Sequence, residues 1–271
     1  MTMLSGLHAP GDFSRFDDRN PVQAPNRVPD VTISFWLIKL MAVTMGETAA
    51  DFLAVNLGLG LTATSLLMAA VLAGALFFQF AQKRYVPAYY WAAVVLVSIV
   101  GTLITDNLVD NFGVSLVSVT VFFTLALGAT FAVWYAFEKT LSIHHVTTTR
   151  REAFYWLAIL FTFALGTGAG DLVAEHYGLG YMATGILFGM IIASSTAGYY
   201  GLKLDGIWAF WIAYIFTRPL GASFGDLLSQ PVEYGGLGLG TILTSGIFLA
   251  AIFGLVIYMT AEGKNHRRLP E

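Results

Sequence analysis

Apolar stretches of about twenty residues, separated by short polar or glycine-rich connections, recur along the chain. A helix of that length, rising ~1.5 Å per residue, crosses the ~30 Å hydrocarbon layer of a membrane. No segment shows the alternation of apolar and polar residues that is typical of membrane barrel strands. The pattern predicts an all-α integral membrane protein with eight transmembrane helices, at about 31–55, 61–82, 88–110, 114–137, 153–175, 180–200, 206–229 and 237–260.

One spacing, W-x9-G-x4-D, occurs four times without gaps, once in each odd-numbered helix. Its members are the tryptophans Trp36, Trp91, Trp156 and Trp211, the glycines Gly46, Gly101, Gly166 and Gly221, and the aspartates Asp51, Asp106, Asp171 and Asp226. The interval between the second and third copies is the longest. Because an internal repeat determines the architecture, we predict four two-helix repeats, arranged as two parallel halves of four helices each.

Connections that contain Lys or Arg alternate with connections that do not. Lys or Arg follows every even-numbered helix, whereas the connections after the odd-numbered helices contain neither. The positive-inside rule therefore predicts that both termini are cytoplasmic. The predicted organisation is a polar cytoplasmic tail at 1–30, four-helix halves at 31–137 and 153–260, a cytoplasmic linker at 138–152 and a cytoplasmic tail at 261–271.

The composition agrees with a membrane location, since 56% of the residues are hydrophobic and only 11% are charged. The chain has no cysteine, which excludes disulfides and thiolate metal sites. We expect the repeat tryptophans to lie near the inner membrane interface. Other aromatic residues, among them Tyr90, Tyr155 and Trp134, are typical of an interfacial aromatic belt.

The four repeat aspartates are expected at one level, in the outer part of the bilayer. An ionised carboxylate in hydrocarbon costs roughly 2.5–3.5 kcal/mol on insertion scales, so such a residue usually has a partner or a function. Glu47, Asp110 and Glu175 add to the acidic excess, and the cations Lys39 and Arg218 only partly offset it. We predict a cation site formed by the four aspartates and Glu47, with a surrounding shell or proton pathway of Asp110, Glu175, His176, Lys39 and Arg218.

Structural alternatives accompany this prediction. The aspartates could accept hydrogen bonds from nearby residues such as Thr102 and Thr167, and serve only assembly. Arg218 is expected to pair with an aspartate of a neighbouring helix, and Lys39 to extend toward the inner surface. The repeat glycines are typical of close helix packing, although a glycine beside Pro219 could break its helix. One ring of four aspartates and two separate pairs both remain open.

Four stretches carry a family resemblance: GETAADFL at 46–53, GTLITDNLVD at 101–110, RREAFYWLAILFTFALGTGAGDL at 150–172 and FWIAYIFTRPLGASFGDLL at 210–228. Over nearly all of residues 28–260, the chain resembles an uncharacterised family of multi-pass bacterial inner-membrane proteins called membrane-anchored proteins. This resemblance implies a bacterial inner membrane location and no particular activity. The chain is more distantly similar to cation exporters built from duplicated helices, but it departs from their E-x-G-D motif.

The acidic excess favours a transporter of a divalent metal cation. Hard oxygen ligands without thiols suit manganese, our leading candidate, and also magnesium, calcium or iron. Carboxylates that lie close together share protons, so cation entry would release protons, as proton-coupled export requires. We expect no enzyme activity, no permanently bound cofactor and no nucleic-acid partner, with the bilayer, the metal ion and protons as partners and homo-oligomerisation left open.

Two other functions remain as alternatives. The sequence Gly-Ala-Gly-Asp at 168–171 is similar to the G-x-G-D motif of intramembrane aspartyl proteases, in which two aspartates share a proton. A ligand-free structural or assembly protein of the membrane is the third interpretation.

Overall fold

The structure, a computed structural model, describes residues 25–266, which form an all-helical protein. Of the predicted tails at 1–30 and 261–271, residues 1–24 and 267–271 lie outside the described residues, and 261–266 belong to the last helix. The eight long helices are α1 Ile33–Asp51, α2 Leu61–Phe80, α3 Pro87–Asp106, α4 Leu116–Glu138, α5 Thr149–Asp171, α6 Gly180–Leu202, α7 Gly206–Ser229 and α8 Thr241–His266. The prediction of eight helices in four two-helix repeats is confirmed.

Seven of these helices are long and apolar enough to cross a membrane, which indicates a multi-pass membrane protein. The remaining one, α7, has 24 residues but is not in that group. In the apolar windows of α1, α3 and α5, 61% of the residues are buried, against 11–22% in α2, α4, α6 and α8. The odd-numbered helices therefore form the interior, and the even-numbered helices surround them.

The helices α1, α3, α5 and α7 form a closed ring, called the inner ring below. Each of them packs against its two neighbours, and α7 closes the ring on α1. Each outer helix packs most extensively on the inner helix of the following repeat: α2 on α3, α4 on α5, α6 on α7 and α8 on α1. The two predicted halves are therefore continuous in space, and the segment 139–148 only connects them.

The four repeat glycines lie where neighbouring inner helices approach most closely. A Cβ atom added at Gly46 would lie 2.0 Å from Ser98 Oγ, and one added at Gly166 would lie 2.2 Å from Arg218 Cγ. Gly101 meets Phe163 at 2.6 Å and Gly221 meets Val43 at 2.5 Å in the same way. These four partners occupy one repeat position, three residues before the glycine. The same contact thus recurs around the ring, and only glycine fits it.

Three of the inner helices end in a short π-helical turn directly after the repeat aspartate. These turns are Phe52–Asn56, Asn107–Asn111 and Leu172–His176. The connections after them need a left-handed backbone, with φ of +67° at Gly58, +67° at Gly113 and +71° at Gly178. Glycine adopts this conformation without steric cost, which explains why a glycine recurs there.

The fourth repeat differs from the other three. Helix α7 continues to Ser229 without a π-helical turn, and a loop with a 3-10 turn at Val232–Tyr234 follows it. The loop folds back on α7, where Leu237 N–H donates to the carbonyl of Leu227 at 2.6 Å. Helix α8 therefore begins at Thr241, four residues later than its apolar pattern predicts.

The tryptophan end of the ring, where the inner helices begin, is closed by polar contacts of the segment before α1 with two connections and with α5. Asn26 Nδ2 donates to Ile143 O at 2.9 Å, and the backbone carbonyl of Asn26 accepts a hydrogen bond from Tyr85 N–H at 2.9 Å. Arg27 forms an ion pair of 2.8 Å with the fully buried Glu152. These contacts seal the end of the bundle that lies opposite the aspartates.

Candidate acidic cavity

A cavity of about 200 Å³ lies at the aspartate end of the inner ring, and we call it the acidic cavity. Seven carboxylates line it: Asp51, Asp106, Asp171, Asp226, Glu47, Asp110 and Glu175. The structure thus brings the four repeat aspartates together at one site rather than in two separate pairs. Every inner helix contributes one of them, because equivalent positions of a closed ring lie at one level.

The outer rim of the cavity is also formed by residues at one equivalent position of the four repeats. Asp110 and Glu175 follow their repeat aspartates by four residues, and the equivalent positions of the first and fourth repeats hold Val55 and Gln230. All four of these residues line the cavity. Asp110 and Glu175 are exposed to solvent, so the cavity opens at this rim.

The acidic cavity is bounded on the inside by Glu47 and Arg218. Arg218 is fully buried, and its Nη2 lies 2.6 Å from Glu47 Oε2. The same nitrogen donates to Thr167 Oγ1 at 2.7 Å and to Thr102 Oγ1. Glu47, Thr102 and Thr167 occupy one repeat position in three different helices. The Arg218 guanidinium therefore reaches across the centre of the inner ring.

The expectation that Arg218 pairs with an aspartate is wrong, since its partner is Glu47. Glu47 lies one residue after its repeat glycine, at the level that the guanidinium reaches, whereas the aspartates lie four residues further along their helices. Glu47 also accepts a hydrogen bond of 3.2 Å from Thr102. Among the predicted cation ligands, Glu47 thus already has its negative charge neutralised by Arg218.

Lys39 lies deeper in the ring, on the side away from the cavity, and it is fully buried. Its Nζ donates to the Tyr214 carbonyl at 2.8 Å and lies 3.8 Å from the centre of the Tyr214 ring. The expectation that Lys39 extends toward the membrane surface is therefore wrong. A carbonyl dipole and an aromatic face, rather than water, surround its ammonium group.

The four aspartates have few protein partners. Among the residues that the structure describes, no basic side chain lies within ion-pair distance of them. Asp51 accepts a long hydrogen bond of 3.5 Å from Gln230. The threonines that could have bonded them are engaged elsewhere: Thr102 donates to Glu47, and Thr105 donates to the Ala164 carbonyl at 2.9 Å. The acids are therefore not explained as helix caps or as halves of ion pairs.

The carboxylates do not form a preassembled metal site in this conformation. Within the part of the chain that is described, no three Asp, Glu or His side chains converge closely enough to hold one metal ion. His176 is exposed and does not line the cavity, so its predicted place in the surrounding shell is not supported. Any cation in the cavity would contact some carboxylates through water.

Pro219 does not break its helix, because α7 runs without interruption from Gly206 to Ser229. The proline ring instead packs toward α5, where its Cδ would lie 3.1 Å from a Cβ at Gly166. The backbone irregularities of the site are the π-helical turns after the first three aspartates. A π-helical turn inside a helix frequently marks a functional site.

Comparison with protein families identifies the repeat. A family described as Repeat of Unknown Function (DUF347) matches the chain four times, at residues 34–85, 89–140, 154–204 and 209–265. The chain belongs to this family. Each matched segment contains one W-x9-G-x4-D unit and the outer helix that follows it. No curated protein and no solved structure matches the chain.

Within the DUF347 repeats, the sequence analysis misses the role of two kinds of residue. Thr102 and Thr167, considered as donors to the aspartates, instead accept from the Arg218 guanidinium, and Gln230 and Val55 complete the rim of the cavity. A position-by-position alignment of the four repeats contains the necessary signal, since Glu47 aligns with Thr102 and Thr167. Only the closed ring, however, shows that aligned positions face each other.

Proposed function

We propose that the protein transports a divalent cation across the membrane, with the acidic cavity as the cargo site and manganese as the first cargo to test. The observation that carries this proposal is the unbalanced charge. Of the seven carboxylates that line the cavity, only Glu47 has a basic partner among the described residues. Intramembrane carboxylates without partners are costly and are usually retained for function.

The cargo of this site is a partly hydrated cation. Among the described residues, no three carboxylates converge to strip an ion of its water. A cavity of about 200 Å³ holds on the order of six water molecules at ~30 Å³ each. Divalent ions of the magnesium and manganese type bind oxygen ligands and often keep several waters. A thiolate-dependent cargo is disfavoured because the chain has no cysteine.

Transport in this protein is by alternating access rather than through an open pore. The cavity has an exposed rim, while the buried Arg218 and Lys39 occupy the ring behind it. Fixed positive charges on a pathway exclude cations from passive flow. Carboxylates that lie close together titrate as a group, so proton release on cargo binding would couple transport to the proton gradient.

The same proposal includes an orientation. Lys and Arg follow the even-numbered helices, so the positive-inside rule places the tryptophan end and both termini in the cytoplasm. Helix α7 is then an eighth span whose polar residues face the ring, and the acidic cavity opens to the outside of a bacterial inner membrane. Export against the metal gradient, driven by proton entry, fits this orientation best.

Reconstituted liposomes test the proposal directly. Purified protein would be incorporated into vesicles that contain a dye whose fluorescence is quenched when manganese enters. Manganese flux would be recorded with and without an imposed pH gradient. We expect flux in wild type and at least a tenfold loss in the double variant Asp106→Asn/Asp171→Asn. Glu233→Gln is the matched control, because Glu233 is exposed and does not line the cavity.

Two results would overturn the proposal. One is a wild-type flux of manganese, magnesium, calcium and iron equal to that of protein-free vesicles. The other is an undiminished flux in the double aspartate variant, because the cargo would then cross without the cavity. Cleavage of a reporter helix by wild type but not by Asp171→Asn would instead support the protease alternative.

A further inference from the structure

Glu47 lies between the acidic cavity and the buried Arg218. It lines the acidic cavity together with the four aspartates, and its Oε2 is paired with the buried Arg218 on the opposite side. It is the only one of the seven cavity carboxylates with an arginine or lysine partner in the described part of the chain. Glu47 is therefore the point at which cargo and protein would compete for the same negative charge.

The partners of Arg218 are gathered on one nitrogen. Nη2 contacts Glu47, Thr102 and Thr167, whereas Nε and Nη1 are buried with no hydrogen-bond partner among the described residues. A static structural arginine usually satisfies most of its five N–H groups, because buried unsatisfied donors are costly. The arrangement is thus incomplete, since no hydrogen bond to a described residue holds Nε and Nη1 in their present place.

The surroundings of the pair permit the guanidinium to change position. The Cζ of Arg218 lies 5.6 Å from the centre of the Phe163 ring, and Lys39 Nζ lies 5.8 Å from the same ring on the side away from the cavity. An aromatic face accepts a cation without a fixed hydrogen-bond geometry. The Phe163 ring therefore offers the guanidinium an interaction that survives the loss of Glu47.

We propose that Arg218 is a tethered cation that competes with the cargo for Glu47. In the empty cavity Glu47 is held by Arg218, which closes the ring behind the aspartates. When a divalent cation enters, Glu47 turns to the cargo and releases the guanidinium. The inference rests on the proposed transport function and deepens it. Binding of the cation in the cavity is then the event that breaks the contact between Glu47 and Arg218 and loosens the inner ring.

Manganese binding to the detergent-purified full chain tests the competition. Binding would be measured by electron paramagnetic resonance of free manganese during titration of wild type, Arg218→Gln, Glu47→Gln and the double variant. We expect Arg218→Gln to bind about tenfold more tightly than wild type, because Glu47 is freed, and Glu47→Gln to bind about tenfold more weakly. In the Glu47→Gln background, Arg218→Gln should gain no more than about twofold.

The double variant separates competition from a general field effect. If Arg218 only repelled the cargo at a distance, its removal would raise affinity equally in both backgrounds. Arg150→Gln is the control for the loss of an arginine outside the inner ring, because the side chain of Arg150 is 63% exposed, pairs with Glu138 and does not line the cavity. We expect a change of less than twofold for this variant. A tenfold gain for Arg150→Gln, or an equal gain for Arg218→Gln in both backgrounds, overturns the proposal.

Failure of this inference can be told from failure of the transport proposal. If wild type binds no manganese or other divalent cation, the cargo site itself is wrong. If wild type binds manganese and Arg218→Gln binds equally or less tightly, only the competition is wrong. If Arg218→Gln does not fold, Arg218→Lys takes its place, since lysine lacks the planar fork of arginine and holds Glu47 less well. Affinity above wild type then supports competition, and equal or lower affinity overturns it.

Discussion

The hydroxyl oxygens of Tyr90 and Tyr155 lie 2.5 Å apart in the fully buried interior at the tryptophan end. The two tyrosines occupy equivalent positions of the second and third repeats, where the first and fourth repeats carry Phe35 and Phe210. The expectation that Tyr90, Tyr155 and Trp134 form an interfacial belt is therefore wrong. They belong to the packed core, as do the repeat tryptophans Trp91, Trp156 and Trp211, and only Trp36 is partly accessible.

This hydroxyl pair gives a prediction about stability. Tyr90→Phe removes one partner and leaves the Tyr155 hydroxyl buried without a hydrogen bond, which should cost about 1–3 kcal/mol. Tyr90→Phe/Tyr155→Phe removes both hydroxyls and should be less destabilised than either single variant. Thermal unfolding in detergent checks both values. A double variant as unstable as the sum of the single variants would show that the hydroxyl pair is not the reason for the loss.

The glycine contacts of the inner ring give a second prediction. Gly166→Ala places a Cβ 2.2 Å from Arg218 Cγ, so it should lower stability by about 1–3 kcal/mol and reduce the yield of monodisperse protein. Gly128→Ala, on the outer helix α4, places its Cβ more than 4 Å from the other described residues, apart from its chain neighbours and the nearby backbone of α4. It should be neutral or slightly stabilising, because alanine favours helix more than glycine does. Size-exclusion profiles and unfolding temperatures would be compared, and equal behaviour of the two variants would contradict the close approach.

A third prediction concerns the ion pair at the tryptophan end. Arg27→Met leaves Glu152 as an unpaired buried charge, which should cost about 3–5 kcal/mol, although Gln79 still donates to it at 2.8 Å. Arg150→Met is the matched control, because the side chain of Arg150 is 63% exposed in its pair with Glu138 and exposed pairs contribute about 0–1 kcal/mol. Urea or thermal unfolding distinguishes the two variants. A similar effect of both substitutions would mean that the N-terminal segment is not held by Glu152.

The fourth prediction concerns the water of the bound cation. Because no three carboxylates converge in the described residues, manganese bound in the acidic cavity should keep several of its water ligands. Electron paramagnetic resonance in water enriched in oxygen-17 measures how many waters remain on the ion. A fully dehydrated manganese ion would show that the aspartates move together on binding, contrary to this expectation.

Much of the architecture could be predicted from the sequence, because apolar length and the repeat are one-dimensional signals. The repeat also predicts that Asp106 and Asp171 lie at one level, since equivalent positions of like-oriented helices do so. It could not predict which helices become neighbours. The partner of Arg218 and the burial of Lys39 depend on how far a long side chain reaches across a closed ring, which no spacing along the chain records.

The pairing of each outer helix with the following inner helix has a consequence for synthesis. Helix α1 carries the polar residues Lys39 and Glu47, yet its outer cover, α8, is the last of these eight helices to be made. The partner atoms of both residues, the Tyr214 carbonyl and the Arg218 guanidinium, belong to α7. Of these eight helices, the one that is made first therefore remains longest without its partners, and the ring acquires its final charge pairing only after α7 has been made.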